Sequence, residues 1–145
     1  MKLQKLISKL EKHHKKKLDL SLGRTFKLLK KLGKPQDKLK NVVTVVGTNA
    51  KASMCYGLKS ILNQAGHKTN LYTSPHLLSY TERYVFDDKK INEEDLIELL
   101  TGVEKTLGDD NATLFEILTC AFMKYAEDFK DNINIIEAGL SLIHI

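Results

Sequence analysis

Only two cysteines, Cys55 and Cys120, occur in the 145 residues. Two thiols cannot build a disulfide framework, nor a zinc site on their own. No run of about 18 apolar residues exists, so no membrane-crossing helix is expected. Residues Met1 to Lys17 are lysine-rich and lack the apolar core of roughly 7–15 residues that a secretory signal requires. Both cysteines fall in helical patterns among apolar neighbours, and are expected to be reduced, buried thiols of a cytosolic (cytoplasmic) protein. No segment repeats. No aromatic residue interleaves with the leading lysines before Phe26, so there is no stacking platform for bases and nucleic acid is not an expected partner.

What is present is ordinary in bulk and uneven in charge. Hydrophobic residues make up 42% and charged residues 28%, as in a soluble globular domain, and the length suits one domain. The net charge of +5 is unevenly spread: residues 1–40 hold 14 Lys/Arg against 3 acids, the remainder 9 against 15. A leading segment this basic has the charge to meet an anionic surface, but a solvated lysine-rich helix face is the better reading.

Leu3, Leu6, Ile7 and Leu10 recur at helical spacing. A second helix should carry Leu22, Phe26, Leu29 and Leu32 inward, capped by Asp19 or Ser21 and ended by Gly33 and Pro35. Lys34 to Asn41 reads as a polar connector. Val42 to Val46 (VVTVV) is a β-branched run expected to be a strand buried on both faces. Gly47 to Ser53 (GTNAKAS) breaks it. A helix follows with Met54, Leu58, Ile61, Leu62 and Ala65 inward and Gly66 at its C-terminal stop. Thr69 to Thr73 and Tyr84 to Phe86 read as strands, with a turn at Asp87-Asp88. Asn92 should cap a helix, and Thr113-Leu114-Phe115-Glu116 (T-x-x-E) is a capping box opening a helix through Phe129. Ile133 to Glu137 (INIIE) is another buried-strand pattern. Alternating strands and helices predict an α/β fold, a three-layer sandwich with a mainly parallel sheet.

Chemistry concentrates at the first strand-to-helix junction. Loop N–H groups and a helix N-terminus point at whatever anion sits there, and Lys51 adds a full positive charge. Ser53 can offer a hydroxyl to Mg²⁺. The strict G-x-x-x-x-G-K-S/T loop is not met: Ala50 precedes the lysine, and Ala52 separates it from Ser53. A lone carboxylate, Glu137, ending a buried apolar strand is costly unless it is paired or holds a metal.

Five segments in order, from about residue 18 to residue 140, resemble the folate branch of the Mur-ligase superfamily, the dihydrofolate synthase/folylpolyglutamate synthase family. VVTVVGTNAKAS resembles its G-T-N-G-K-G-S ATP loop, and LYTSPHLLSYTERY its L-Y-T-S-P-H-L segment. TLFEILT, NIIEAGL and the lead-in LDLSLGRTFKLLKKLGKPQ are similar to further motifs. The cell-wall Mur ligases lack the TSPH string. The resemblance implies a P-loop-type, Mur-ligase-like ATPase domain, present here only in its N-terminal part. It implies a carboxylate–amine ligase that uses ATP and Mg²⁺ to join L-glutamate to dihydropteroate or folates through an acyl phosphate, and that is a monomer when full length.

Carried over by residue, Gly47, Thr48, Asn49, Ala50, Lys51, Ala52 and Ser53 would bind the nucleotide. Lys51 and Glu137 would be catalytic. Ser53, Ser74 and Glu137 would hold metal. Asp19, Leu20, His76, Arg83, Thr113, Phe115 and Glu116 would lie near the pterin-bearing substrate. The departures are Ala50 and Ala52, where the family has glycine. If the position ahead of the lysine has φ > 0, Ala50 costs about 1–2 kcal/mol there. After Gly139 the pattern is lost: Leu140 to Ile145 (LSLIHI) is what a sequencing adapter encodes, so this tail is expected to be non-native and His144 no ligand. The expected organisation is a basic leading helix (1–17), the ATP-binding part (18–139) and the tail (140–145), a fragment inactive alone. The rival readings are a noncatalytic nucleotide- or nucleic-acid-binding module, or another Mur-type ligase.

Overall fold

The computed structural model describes residues 2–13 and 22–139. The chain divides into two compact units: residues 1–38 with 92–127, and residues 39–91 with 128–145. Expectations that fall on Asp19, Leu20, Ser21 and the 140–145 tail lie outside the described residues.

The first unit is helical. Helix α1 (Lys2–His13) buries Leu3, Ile7 and Leu10 and leaves its lysines outward. Helix α2 (Gly23–Lys31) buries Leu28 and Leu29, and Leu32 follows them inward. The expected stripe is therefore wrong in part, since Leu22 is 37% and Phe26 59% exposed. Two adjacent leucines and a third one turn on supply the apolar face, so the pattern starting at Leu22 sits on its flank. Leu22 itself occupies the N-cap and offers no side-chain bond. Gly33, at φ +86, ends the helix as expected, with Lys34 N donating to Leu29 O at 2.8 Å. The polar connector contains a short 3₁₀ turn, Pro35–Lys38.

Helix α4 (Glu93–Leu107) is capped by Asn92, whose Oδ1 accepts from Asp95 N at 2.7 Å. Its buried face is Leu96, Leu100, Val103 and Leu107, the i, i+4, i+7, i+11 spacing of one helical side. Helix α5 (Leu114–Ala126) begins at the predicted capping box: Glu116 N donates to Thr113 Oγ1 (3.2 Å) and Thr113 N to Glu116 Oε2 (2.6 Å). It stops at Ala126 rather than Phe129. Glu127 takes the C-cap and binds Lys38 (2.9 Å) and Lys124, while Phe129 stacks on Phe86 in the other unit's core at 5.2 Å. Several lysines of the basic segment meet acids here: Lys9 pairs with Glu104 (3.0 Å), and Lys27 and Lys31 with Asp110 (both 2.6 Å).

The second unit holds a five-stranded sheet in the order β1-β5-β2-β3-β4. β1 (Val42–Val45), β5 (Ile133–Glu137) and β2 (Thr69–Tyr72) run parallel; β3 (Tyr84–Phe86) and β4 (Lys89–Lys90) continue it antiparallel. The α/β class and the parallel core agree with the sequence reading. β4 carries only two exposed lysines, which gave no strand signal. Asp87 and Asp88 close the β3–β4 hairpin at φ +48 and +64, a conformation aspartate tolerates. Helix α3 (Lys51–Gln64) packs Cys55 against Leu71 and Ile135, with Leu58 and Leu62 beside them. Its inward stripe is Cys55–Leu58–Leu62; Met54 and Ile61, expected inside, are 62% and 66% exposed, and Ala65 is exposed too.

β1 also departs from expectation. Val42 is 47% and Val43 37% exposed, because β1 is the terminal strand of this sheet and has a neighbour on one side only. β2 and β5 are the strands buried on both faces. Among the described residues no helix is long and apolar enough to cross a membrane.

Candidate functional site

Three parallel strands bring their carboxyl ends together, the place where open α/β sheets hold ligands. β1 runs into the loop Gly47–Ala50 and then α3; β5 ends at Glu137; β2 leads through Thr73 to Ser74. Val45 is the register partner of Glu137, and Ala138 N donates to Val45 O at 2.9 Å. Glu137 therefore lies beside the strand that feeds the lysine loop, not across the sheet from it.

The loop is exposed throughout. Gly47 has φ +156, and a Cβ there would meet only Lys51 Cγ at 3.7 Å and Asn49 O at 3.8 Å, so backbone geometry rather than space favours glycine. Ala50 is left-handed, φ 60 and ψ 13, at the N-cap of α3, and no side chain caps this end. This is the φ > 0 condition raised by the sequence. Met54 N donates to Ala50 O (3.0 Å), the first bond of the helix. The N–H groups of Lys51, Ala52 and Ser53 thus precede the helical ladder and face out with the positive end of the dipole. Lys51 Nζ donates to Gly47 O at 2.9 Å, folding the lysine over its own loop.

Glu137 is 5% exposed. Among the described residues its one hydrogen bond comes from the Ser74 backbone N–H to Oε2, at 2.9 Å, and no basic side chain pairs with it. Ser74 thus meets Glu137 through its amide rather than its hydroxyl. A buried carboxylate with so little compensation suits a cation. Among the described residues no three His, Cys, Asp or Glu cluster together. One carboxylate, hydroxyls and outside oxygens form the kind of set Mg²⁺ accepts, since it keeps water and phosphate ligands rather than a protein cage. Cys55 lies beneath; burial first, then the Glu137 charge, pushes its thiol up to about 11, so it is not a nucleophile. Burial raises Cys120 to about 12. Both cysteines are free and buried, as expected.

The segment after Ser74 is organised by a residue the sequence reading overlooked. Glu82 accepts from Leu77 N (2.9 Å), Leu78 N (3.0 Å) and Ser79 N (2.8 Å), and these bonds, that to Leu77 foremost, lower its pKa. Ser79-Tyr80-Thr81-Glu82 is an S-x-x-E capping box, a signal present in the sequence. Arg83 Nε donates to His76 Nδ1 at 3.0 Å, and its guanidinium lies 5.0 Å from the Tyr80 ring centre. Burial, then the Arg83 charge, lowers the His76 pKa, so the ring is a neutral acceptor at Nδ1. Among the described residues, Arg83 thus meets a histidine and an aromatic face.

In the helical unit, Thr113, Phe115 and Glu116 sit at the start of α5. The Glu116 carboxylate is committed twice over. Besides capping, it takes Arg24 in a two-pronged pair, Nη2 to Oε1 at 3.1 Å and Nε to Oε2 at 3.3 Å, with both side chains mostly buried. Arg24 lies 92 positions away in the chain, a pairing no local pattern announces.

No family model matches the chain. It is 36% identical over 136 residues to the dihydrofolate synthase/folylpolyglutamate synthase of Escherichia coli, covering 92% of this chain and 32% of that protein. It is 35% identical over 125 residues to the dihydrofolate synthetase of Saccharomyces cerevisiae, covering 85% and 29%. Among solved structures, E. coli FolC in complex with DHPP and ADP superposes with a TM-score of 0.88 at 35% identity, over 95% of this chain and 33% of that one. The Yersinia pestis bifunctional folylpolyglutamate synthase/dihydrofolate synthase complexed with AMPPNP and Mn gives 0.87 at 31%, over 95% and 33%. The chain spans about a third of the length of the curated relatives it matches.

Proposed function

Because the chain belongs to the dihydrofolate synthase/folylpolyglutamate synthase family, we propose that it is the nucleotide-handling part of an ATP-dependent ligase. That ligase joins L-glutamate to dihydropteroate or a folate in the cytosol, a setting consistent with two free thiols. The observation that carries this reading is the neighbourhood of Glu137. A buried, under-compensated carboxylate stands in register beside the strand that delivers Lys51 and a helix N-terminus.

ATP bound with a divalent cation supplies the phosphoryl group that converts a carboxylate into an acyl phosphate, which an amine can attack. The chain's own contribution is charge and position. The amides from Lys51 to Ser53 and the α3 dipole receive phosphate oxygens, and Lys51 neutralises them as a point charge. Glu137 holds the cation, oriented by the Ser74 amide, with the Ser53 and Ser74 hydroxyls in support. His76 and Arg83 in the sheet unit, and Thr113, Phe115 and Glu116 in the helical unit, are each proposed as substrate contacts. Glu116 is the weakest of these, because its oxygens already serve Arg24 and Thr113.

The test is titration of the 145-residue chain with a fluorescent ADP analogue, with and without Mg²⁺. Mg²⁺-dependent binding is expected, weakened about tenfold or more by Lys51→Ala, with the Mg²⁺ dependence abolished by Glu137→Gln. Binding indifferent to both substitutions would overturn the proposal. Replacing the corresponding third of the E. coli enzyme with residues 1–139 should then give ATP-dependent joining of glutamate to dihydropteroate.

A further inference from the structure

β5 and β2 pose a register problem that their apolar residues do not solve. All four residues of β2 and four of the five in β5 are buried. Where only one face of a strand is buried, a slip is penalised by exposing apolar side chains. Here both faces are buried, and Ile133, Ile135 and Ile136 would find apolar neighbours in more than one alignment. Each strand carries one asparagine, and the observed register sets Asn70 directly opposite Asn134. Both are about fully buried, at 0% and 1% exposure.

Their amides form a continuous chain. Asn70 Nδ2 donates to Asn134 Oδ1 (2.9 Å); Asn132 Nδ2 donates to Asn70 Oδ1 (2.9 Å) and to Asp87 Oδ1 (2.6 Å). Asn134 Nδ2 donates to Lys40 O (3.0 Å), just ahead of β1. One set of amides therefore ties β5 to β2, to the lead-in of β1 and to the β3–β4 turn. A two-residue slip keeps every side chain on its own face but sets Asn70 opposite Ile136 or Asn132 and breaks the chain, leaving buried amides unpaired. The same slip carries Glu137 about 6–7 Å along the strand, out of reach of the Ser74 amide.

We propose that Asn70, Asn132 and Asn134 are positioning residues for the site: their buried amide chain sets the one register in which the Glu137 carboxylate meets Ser74. The consequence for ligand binding rests on the proposed role of Glu137, and the test separates the two. In Asn70→Leu/Asn134→Leu both partners become apolar at similar volume, a change that tends to spare stability. The double variant is expected to fold, with its Ser74 amide NMR signal split or lost and its Mg²⁺-dependent affinity for the fluorescent ADP analogue reduced about tenfold or more. A single, unshifted Ser74 signal with wild-type affinity in the double variant would overturn the proposal. Glu137→Gln is the reference. If it leaves affinity unchanged while the double variant still splits the Ser74 signal, the reading of Glu137 fails and the register device stands. Should the double variant not fold, Asn70→Ala, which removes the cross-strand amide bond to Asn134, is read by the same signal with the same two outcomes.

Discussion

Two alanines two positions apart should respond oppositely to the same substitution. Ala50 is held at φ 60, ψ 13, whereas Ala52 lies in the first turn of α3. A left-handed conformation costs an L-residue roughly 1–2 kcal/mol through the clash of Cβ with the carbonyl. Glycine escapes it but loses about 0.4–1 kcal/mol through the greater freedom of the unfolded chain. Ala50→Gly should therefore stabilise the protein by about 0.5–1 kcal/mol. At Ala52 there is no strain to relieve, and glycine in a helix costs about 1 kcal/mol relative to alanine. The two variants should differ by about 1.5–2 kcal/mol, several degrees in melting temperature for a chain of this size. Urea unfolding followed by circular dichroism measures it, with equal slopes for both variants as the check that only stability changed. If Ala50→Gly lowers the midpoint as much as Ala52→Gly, Ala50 is not left-handed in solution and the loop geometry argued above is wrong.

Arg24→Ala should destabilise the helical unit by about 1–3 kcal/mol, because it strips a charge-assisted pair from a mostly buried carboxylate. Arg24→Lys should recover little of this, since an ammonium cannot make the two-pronged contact. A urea midpoint unmoved by Arg24→Ala would refute the pairing. The loop from His76 to Arg83 should loosen in acid. His76 has a folded pKa below its ordinary 6.5, so the unfolded state binds more protons. Its contribution is complete above pH 6.5 and is lost as pH falls through the folded value. Glu82, also lowered from 4.5, adds the same sign at lower pH. An NMR titration placing the His76 midpoint above 6.5 would contradict this.

Local signals were read well where one residue's chemistry decides the outcome. The Thr113–Glu116 box, the Asn92 cap and the Gly33 and Gly66 stops each depend on a side chain or a φ angle set within four residues. β5 was legible at both ends, because its apolar run is bounded by polar residues. The helix faces were less legible. In α2 and α3 several apolar stripes compete, and which one turns inward depends on the surface that receives it: in α3 Cys55 is buried and Met54 is exposed. The exposure of β1 was not legible either, since a β-branched run reads alike at the end and in the middle of a sheet. Of the candidate site, Lys51, Ser74 and Glu137 were named from sequence, and the structure places them at the ends of neighbouring parallel strands. Arg24 and the asparagine chain depend on partners 62 to 92 residues distant. Glu82 was within reach, as its S-x-x-E spacing shows.

The Lys51–Gly47 contact changes what an incoming anion gains. The lysine is not a free cation waiting in water; it is already solvated by a carbonyl of its own loop. An arriving phosphate must outbid that oxygen, so the lysine contributes only the difference between an ion pair and a charge–dipole bond. Small uncharged ligands, and weakly basic anions such as chloride, have little with which to open the latch. Selectivity for highly charged phosphates can thus begin with an internal competitor, before any outer contact discriminates.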